Sequence, residues 1–345
     1  MDYFPSLRWR AEGNACCEGR AFLSRTESCK LARISSRPSS PFSRQNRSMS
    51  YLSRREFVAA GSAFASSVAI GQSSHAQLTV GDVIGRIKKE VGVPWQEKTV
   101  DTLLTGSLDM PVQGIATTMM ATLDVVERSV AQGKNMIVTH EPAFYQHQPQ
   151  TDDIKDDPTL LYKLDFCKKH NIAIFRFHDH WHAHRPDGIA EGMVNQLGWR
   201  KNVDDPADPK KLTFDGLTLE RFVRQIQQIL KANTMRVLGD PELPVRHVRA
   251  NWGYASRESG IKIFAHRDTD VLICGETREW ELVPYCQDSI RAGNRKALIV
   301  IGHVLSEQGG MILCADWLKS FVPELPIQFV PATEPFWNPE HPPRG

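Results

Sequence analysis

Three largely apolar stretches of the sequence lead directly into a histidine. They are NMIVTH, IAIFRFH and ALIVIGH, which end at His140, His178 and His303. Short apolar runs bounded by polar segments predict buried strands of a parallel sheet. In open parallel sheets, ligands bind beyond the carboxyl ends of the strands. The pattern therefore predicts that three strands deliver their histidines to one crevice.

Segments with helical spacing lie between the predicted strands. An amphipathic helix over 78–91 opens the patterned part of the chain, with Thr79 as its N-cap residue. Strands and helices then alternate, which favours parallel strands joined by helical crossovers. The predicted order is strand 114–120, helix 123–132, strand 135–139, helix 159–170 and strand 172–177.

The second half of the chain shows the same mixture, so the predicted fold class is α/β. Residues 201–211 are rich in Asp, Pro and Lys and predict a polar loop, and the tail from Pro331 is rich in proline. Helices are predicted over 188–197, 217–232 and 306–318, and a strand is predicted over 297–301. Segments that could be a strand or a strand followed by a helix are 235–238, 245–250, 260–265 and 271–274.

The first 76 residues differ from the rest. Residues 1–48 are rich in Arg and Ser and lack any periodicity, which indicates a disordered leader or a start assigned too far upstream. In residues 49–76, Arg54 and Arg55 precede a short apolar run that ends at Ser74-His75-Ala76, an arrangement that resembles a twin-arginine export signal. We therefore expect a periplasmic or otherwise exported bacterial protein. The apolar run is too short for a membrane span, which needs about 20 residues.

Removal of that segment changes the charge balance. The whole chain carries a formal charge of +2, but eleven basic and five acidic residues lie in the first 76. The remainder is mildly acidic, which gives no support for nucleic-acid binding. Its four cysteines lie in apolar patterns without a CxxC pair, so buried thiols are predicted, while a disulfide stays open. They are Cys167, Cys274, Cys286 and Cys314.

Acidic residues and further histidines accompany the three strand ends. Glu141 follows His140, and Glu307 follows His303 at i+4, where the two share one face of a helix. Histidine and carboxylate are the usual ligands of zinc, iron and manganese. Taken singly, each pair has a plainer explanation as a strand-capping histidine or a surface ion pair. Together they predict a metal site.

The segment after the second strand holds four histidines in seven residues, at positions 178, 180, 182 and 184. If it is extended, all four face one side. If it turns helical after His178, then His178 and His182 share a face instead. A cation between crowded imidazoles requires their neutral forms and removes their repulsion. The isolated histidines, which include His147, give no such indication.

These motifs resemble the NGG1-interacting-factor-3-like family of dinuclear-metal proteins over residues 80–320. The family's Thr-His-His-Pro motif corresponds to residues 139–142, and its Gly-His-x-x-x-Glu motif corresponds to residues 302–307. Its His-x-x-x-Asp motif corresponds to His178 and His182, and a further histidine of the family is Trp280 here. Glu141 thus replaces a histidine while His182 replaces an aspartate, a swap that preserves the net charge of the ligands.

The resemblance implies two α/β lobes, each a mostly parallel sheet with flanking helices. We expect residues 77–190 and 271–345 to form the metal-binding lobe and residues 191–270 to form the second. It also implies a ring-shaped hexamer with two divalent ions per subunit, zinc, iron or manganese. Some members of the family carry a GTP cyclohydrolase-like label. The implied ligands are His140, Glu141, His178, His182, His303 and Glu307.

Three functions follow from such a site. The first is a metal-dependent hydrolase of an unknown small-molecule substrate, with His180 or Glu276 as candidate general acid or base. The second is non-catalytic metal binding, for delivery or regulation. The third is a structural site that stabilises a homo-oligomer. Neither a nucleic-acid partner nor a membrane span is expected.

Overall fold

A computed structural model of the chain describes residues 77–340. The predicted leader, 1–48, and the predicted export signal, 49–76, lie outside the described residues. Within 77–340, all helices are too short or too polar to cross a lipid bilayer. The four cysteines of this range are buried and free, which confirms the predicted thiols.

Within 77–340, the strands of the first sheet are β1 Leu103–Thr105, β2 Ile115–Met120, β3 Met136–Glu141, β4 Ala173–Arg176 and β10 Ile327–Phe329. Their order in the sheet is β1-β4-β3-β2-β10. Strands β2, β3, β4 and β10 run parallel, and β1 pairs with β4 in the antiparallel sense. The helices of this part are α1 Val80–Glu90, α2 Leu123–Ala131 and α3 Pro158–Lys169. The predicted strand–helix alternation is confirmed here, because α2 joins β2 to β3 and α3 joins β3 to β4.

Five further strands form the second sheet, in the order β5-β7-β8-β9-β6. The three central strands are parallel, and the two edge strands are antiparallel to their neighbours. The bounds are α4 Asp179–Ala183, α5 Gly188–Leu197, β5 Lys211–Thr218, α6 Leu219–Leu230, β6 Arg236–Leu238, β7 Pro244–Ala255, α7 Arg257–Ala265, β8 Val271–Thr277, α8 Glu279–Arg291, β9 Ala297–Val300, α9 His303–Lys319 and β10 Ile327–Phe329. The fold is therefore α/β with two mostly parallel, helix-flanked sheets.

The sheets divide the chain differently from the predicted lobes. Residues 271–345 were expected to join 77–190, but β8 pairs with β7 and β9 pairs with β8, so residues 271–300 belong to the second sheet. From the later residues, as far as 340, β10 returns to the first sheet beside β2. The physical reason is that the apolar strands β8 and β9 continue the parallel pairing that β7 begins.

Helices α5 and α9 cross at small residues. A Cβ atom at Gly192 of α5 would overlap the backbone of Gly309 and Gly310 in α9. Glycine at this crossing lets the two helix backbones approach closely. Because α9 also packs on strands of both sheets, the crossing helps to fix the position of its first turn.

We expect Gly192→Ala to destabilise the protein, although alanine favours helix. Overpacking of a core usually costs about 1–3 kcal/mol, and overlap with backbone leaves little room for relief. Gly85 of α1 is the matched control, because a Cβ atom there meets nothing within 4 Å. Gly85→Ala should raise the free energy of unfolding by up to about 1 kcal/mol. Urea denaturation of both variants measures the difference, and equal midpoints would contradict the close crossing.

Candidate metal centre

The six residues proposed as ligands come from two sheets and lie around one point. His140 and Glu141 are the last residues of β3. His178 directly precedes α4 and His182 lies within that helix, so the helical alternative for this segment is the one that the structure adopts. His303 is the first residue of α9, and Glu307 follows one turn later.

Two carboxylates face the Nε2 atoms of four imidazoles. The Oε2 atom of Glu307 lies 3.2 Å from Nε2 of His303 and 3.7 Å from Nε2 of His140. Its Oε1 atom lies 4.0 Å from Nε2 of His182. The Oε1 atom of Glu141 lies 3.3 Å from Nε2 of His303 and 3.7 Å from Nε2 of His178. All six residues therefore point a potential ligand atom into the same small volume.

The Nδ1 atom of each of these imidazoles bonds outward to an oxygen. Metal-binding histidines usually make such a bond, because it fixes the ring and leaves the Nε2 lone pair free for the metal. The four outer contacts are His140 to Phe177 O at 3.3 Å, His178 to Asp179 at 2.9 Å, His182 to Asp187 at 3.2 Å and His303 to Glu276 at 3.0 Å.

Three atoms at the centre are buried without a well-formed hydrogen bond. They are Nε2 of His140, Nε2 of His303 and Oε2 of Glu307. The distances among them are short, but the groups are not aligned as donor and acceptor. An unpaired buried polar atom costs about 1–3 kcal/mol, so native proteins rarely keep three together. A cation among them would satisfy all three, and the residues therefore fit a metal ion.

The charges of the site also suit a cation. Burial and the neighbouring His178 and His182 lower the pKa of His140 well below its usual value, so its ring is neutral, as a ligand must be. Burial alone would lower the pKa of His303 too, but the carboxylates of Glu141, Glu276 and Glu307 raise it to about 12. A metal ion that binds His303 must therefore displace a proton.

Glu141 is held by a buried arginine. Arg176 donates from Nη2 to Oε2 of Glu141 at 3.0 Å and from Nε to the carbonyl of His140 at 3.2 Å. Burial alone would raise the pKa of Glu141, but the close contact with His303 and the charges of His178 and Arg176 lower it to about 2. One oxygen thus pairs with Arg176 while the other faces the imidazoles. This arrangement accommodates an acid at the position of the family's second histidine.

His147 also reaches the site, although its sequence context gave no indication of this. It follows β3 in an irregular loop and lies close enough to Glu141 and His178 for their ligand atoms to share an ion. Arg176 donates to its Nδ1 atom at 3.2 Å, so the neutral ring carries its proton on Nε2. Burial and the charge of Arg176 lower the pKa of His147. The contact with Arg176 favours a hydrogen-bond donor over a metal ligand.

His180, one candidate acid or base, lies away from the centre. Its ring is buried and stacks on Trp95 at 3.7 Å between centroids. Its Nε2 atom accepts from the backbone N–H of Gln96 at 2.9 Å, and its Nδ1 atom lies 2.7 Å from Asp101. Both nitrogens are therefore occupied by structural bonds. One turn of α4 separates His178 from His182 and rotates His180 to the opposite face, so it is not an acid or base of this site.

Glu276, the other candidate, orients His303 through the Nδ1 bond. Its side chain is half exposed, and its hydrogen bond with His303 lowers its own pKa. Trp280, at the position of another family histidine, is 74% exposed on α8. Neither residue lines the cavity described next.

A cavity of about 520 Å³ opens above the centre. This volume suits a small molecule rather than a polymer. Its floor carries five of the six ligand residues, all but the fully buried His140. Its walls come from the loop after β3, the segments before α5 and β5, and β7. The wall residues are His147, Arg185, Asp187, Lys210, Asn251, Trp252 and Tyr254.

The fold and the site together define a two-sheet α/β protein with a histidine–carboxylate site suited to metal ions. The chain belongs to the Duf34/NIF3 (NGG1p interacting factor 3) family, whose sequence profile matches residues 78–335. This confirms the resemblance drawn from the strand-end motifs.

Known relatives agree with the assignment. A Clostridium acetobutylicum protein described as a GTP cyclohydrolase 1 type 2 homolog is 23% identical over 235 residues, which cover 65% of this chain and 83% of the relative. The crystal structure of a Bacillus cereus protein related to NIF3 matches 76% of this chain and 99% of its own, with a TM-score of 0.60 and 14% identity. A hypothetical protein from Staphylococcus aureus matches the same shares with a TM-score of 0.57 and 17% identity. At these identities, the solved structures support the fold alone.

Proposed function

We propose that the protein binds two divalent metal ions and uses them to hydrolyse a small molecule. The observation that carries the proposal is the convergence of four Nε2 atoms on two buried carboxylates, with three central atoms left without a hydrogen bond. Zinc, iron and manganese all accept this mixture of imidazole and carboxylate ligands. The cavity above the centre supplies room for a substrate.

The distances divide the ligands into two sets. His140 and His182 lie nearest to Glu307, and they would hold one ion with it. His178 lies nearest to Glu141, and the two would hold the second. His303 lies between the carboxylates, 3.2 Å from Glu307 and 3.3 Å from Glu141, so it is placed to serve either set.

Bound ions would supply Lewis acidity and a hydrolytic water at neutral pH. The chain itself holds the metal ligands in position. Asp179, Asp187 and Glu276 orient three imidazoles, and Arg176 fixes Glu141. His147 presents an Nε2–H group from the cavity wall, where it could donate to a substrate or to a departing group.

We expect His147→Leu to lower kcat about a hundredfold, the usual order for loss of one hydrogen bond to developing charge, with metal content unchanged. His266→Leu, which alters an exposed histidine next to α7, is the control and should leave both unchanged. Steady-state kinetics and elemental analysis measure the two quantities. A fall in metal content in the His147 variant would instead make this residue a ligand.

Non-catalytic metal delivery is the second candidate. It is favoured by the partial exposure of His178, His182 and His303, whose side chains are 17%, 31% and 18% accessible, because ions could enter and leave directly. The rate of metal exchange discriminates between the two. Slow exchange and hydrolytic turnover support an enzyme, whereas rapid exchange without turnover supports delivery.

A panel of phosphate esters, carboxylate esters and amides tests hydrolysis. Turnover by metal-loaded protein that chelation abolishes and metal restores would support the proposal. If fully loaded protein hydrolyses none of these substrates, the hydrolase proposal fails.

Export and a hexameric ring belong to the same proposal. The support for export is the paired arginines and apolar run in residues 49–76, and the support for the hexamer is the family resemblance. The mass of protein recovered from the periplasm of a bacterial host tests cleavage after Ala76, and light scattering tests the assembly. Full-length protein retained in the cytoplasm, or a stable monomer, would contradict the respective part.

A further inference from the structure

We infer that the substrate of this cavity is a small phosphate monoester, an inference that rests on the proposed hydrolase function. The reason lies in residues of the cavity walls that are not metal ligands. Above the centre, the polar groups available to a ligand are mainly hydrogen-bond donors.

The donor that most clearly lacks an acceptor is the indole N–H of Trp252. This residue is 7% exposed and lines the cavity from β7, and its Nε1 atom is buried without a hydrogen-bond partner. A buried N–H without an acceptor is unfavourable, so native proteins seldom keep one without a use. An acceptor atom of a bound ligand would give this N–H its hydrogen-bond partner.

Two cationic side chains line the same cavity. Lys210 lies in the cavity wall, 3.2 Å from Asp187, and its side chain is 42% accessible. Arg185 lies on the rim, where its Nη1 atom bonds to backbone carbonyls, and its other nitrogens are free to meet a ligand. Arg and Lys are the residues that proteins use to bind phosphate oxygens.

The charge of the cavity becomes more positive when metal binds. Its lining holds three carboxylates, Glu141, Asp187 and Glu307, which the cations of Arg185, Lys210 and the protonated His303 balance. Two divalent ions, even after they displace the proton of His303, would make this balance clearly positive. Asp187 cannot oppose an anion freely, because it accepts from two backbone N–H groups of α5 and also contacts His182 and Lys210. An anionic substrate is therefore attracted only to the loaded protein.

The number of acceptor oxygens distinguishes phosphate from carboxylate. A carboxylate has two oxygens to share between the metal centre and the donors of the cavity wall. A phosphate monoester has three terminal oxygens, and the third suits Lys210 and the indole N–H of Trp252. In hydrolysis, a water oxygen forms a bond to phosphorus while the bond from phosphorus to the ester oxygen breaks. The departing oxygen takes one proton, so the products are an alcohol and inorganic phosphate.

Binding of inorganic phosphate to the metal-loaded protein tests the inference without any turnover. Isothermal titration calorimetry should show binding to the loaded form and none to the metal-free form. We expect Lys210→Met to weaken binding about tenfold and Trp252→Phe to weaken it several-fold, the orders expected for loss of a charged and of a neutral hydrogen bond. Both variants should keep the metal content of the parent.

Lys211→Met is the matched control. Lys211 is the next residue along the chain, but its side chain lines a different cavity, beside Arg249 and Lys262, and pairs with Asp208. This variant makes the same change of charge and should leave phosphate binding unchanged. A loss equal to that of Lys210→Met would show a general charge effect and overturn the assignment of these donors.

Hydrolysis of 4-nitrophenyl phosphate and of 4-nitrophenyl acetate separates this inference from the function on which it rests. Cleavage of the phosphate ester with phosphate binding supports both. Cleavage of the acetate ester alone, with no phosphate binding to loaded protein, overturns the inference and leaves the hydrolase proposal standing. Protein that holds two ions but cleaves neither and binds no phosphate contradicts both.

Discussion

Substitution of Glu307 by glutamine is expected to abolish tight binding at both proposed metal sites. The carboxylate is buried, and its two oxygens lie within 4.0 Å of Nε2 atoms of His140, His182 and His303. Glutamine keeps the shape of the side chain but replaces one ligand oxygen with an amide nitrogen, which carries hydrogens and cannot coordinate a cation. Loss of a residue that only supports a ligand lowers metal affinity by roughly 10–100-fold. Loss of a shared ligand should therefore lower metal affinity by more than about a hundredfold.

Metal content after dialysis and the thermal midpoint with and without added metal measure this effect. The parent protein should gain stability when metal is added, because a ligand bound only by the folded state stabilises it, whereas the Glu307 variant should not. Glu220→Gln is the control, because Glu220 is not one of the proposed ligands and makes an exposed ion pair with Arg224 on α6. A Glu307 variant that retains both ions would remove this residue from the ligand set.

Replacement of Gly253 by alanine is expected to disrupt the same centre by a different route. Gly253 lies in β7 with a φ of +72°, and a Cβ atom there would overlap the carboxylate of Glu307, with its Cδ at 2.9 Å and Nε2 of His303 at 3.2 Å. The methyl group would therefore occupy space between two ligands. We expect loss of metal together with the backbone strain of a non-glycine residue at positive φ, about 1–2 kcal/mol.

Gly198→Ala isolates the backbone effect. Gly198 ends α5 with the same φ of +72°, but a Cβ atom at that position meets nothing within 4 Å. The two variants should lose similar stability from strain when metal is absent, and only the Gly253 variant should fail to bind metal. Normal metal content in the Gly253 variant would mean that the centre tolerates displacement of Glu307.

Much of the first sheet could be predicted from the sequence because its strands are short apolar runs separated by well-capped helices. Thr79 caps α1 as expected, with a capping box to Asp82. Strand β5 was missed, since its burial alternates and its first residues continue a polar segment. The sheet to which β8 and β9 belong could not be predicted either, because apolar runs of this kind pair equally well with either set of parallel strands.

The candidate site was visible in the sequence because each of the strands β3, β4 and β9 leads into a histidine at its carboxyl end. That β9 belongs to the second sheet, so that two sheets contribute to the site, was not predicted. The side on which each histidine of the 178–184 segment lies was not predicted either, since extended and helical geometries place His180 on opposite faces. His147 could not be found at all. It lies in an irregular loop with no periodic pattern, and its position depends on hydrogen bonds from Arg176, which the sequence places 29 residues away.

The substitutions relative to the family are explained by their new neighbours. Glu141 finds Arg176 for one oxygen and the imidazoles for the other. His182, in place of an aspartate, is oriented by Asp187 and turns its Nε2 atom toward Glu307. The acid and the imidazole have exchanged places across the centre, and the resulting set still offers two carboxylates and four imidazoles. This chemistry favours a retuned metal centre over a lost one.

Elemental analysis of the purified protein, combined with native mass spectrometry, tests the central claim most directly. We predict two ions of zinc, iron or manganese per chain, which a chelator removes and which the Glu307→Gln and Gly253→Ala variants lack. Protein that contains no metal, even after incubation with these ions, would contradict the claim. So would metal that remains fully bound in both variants.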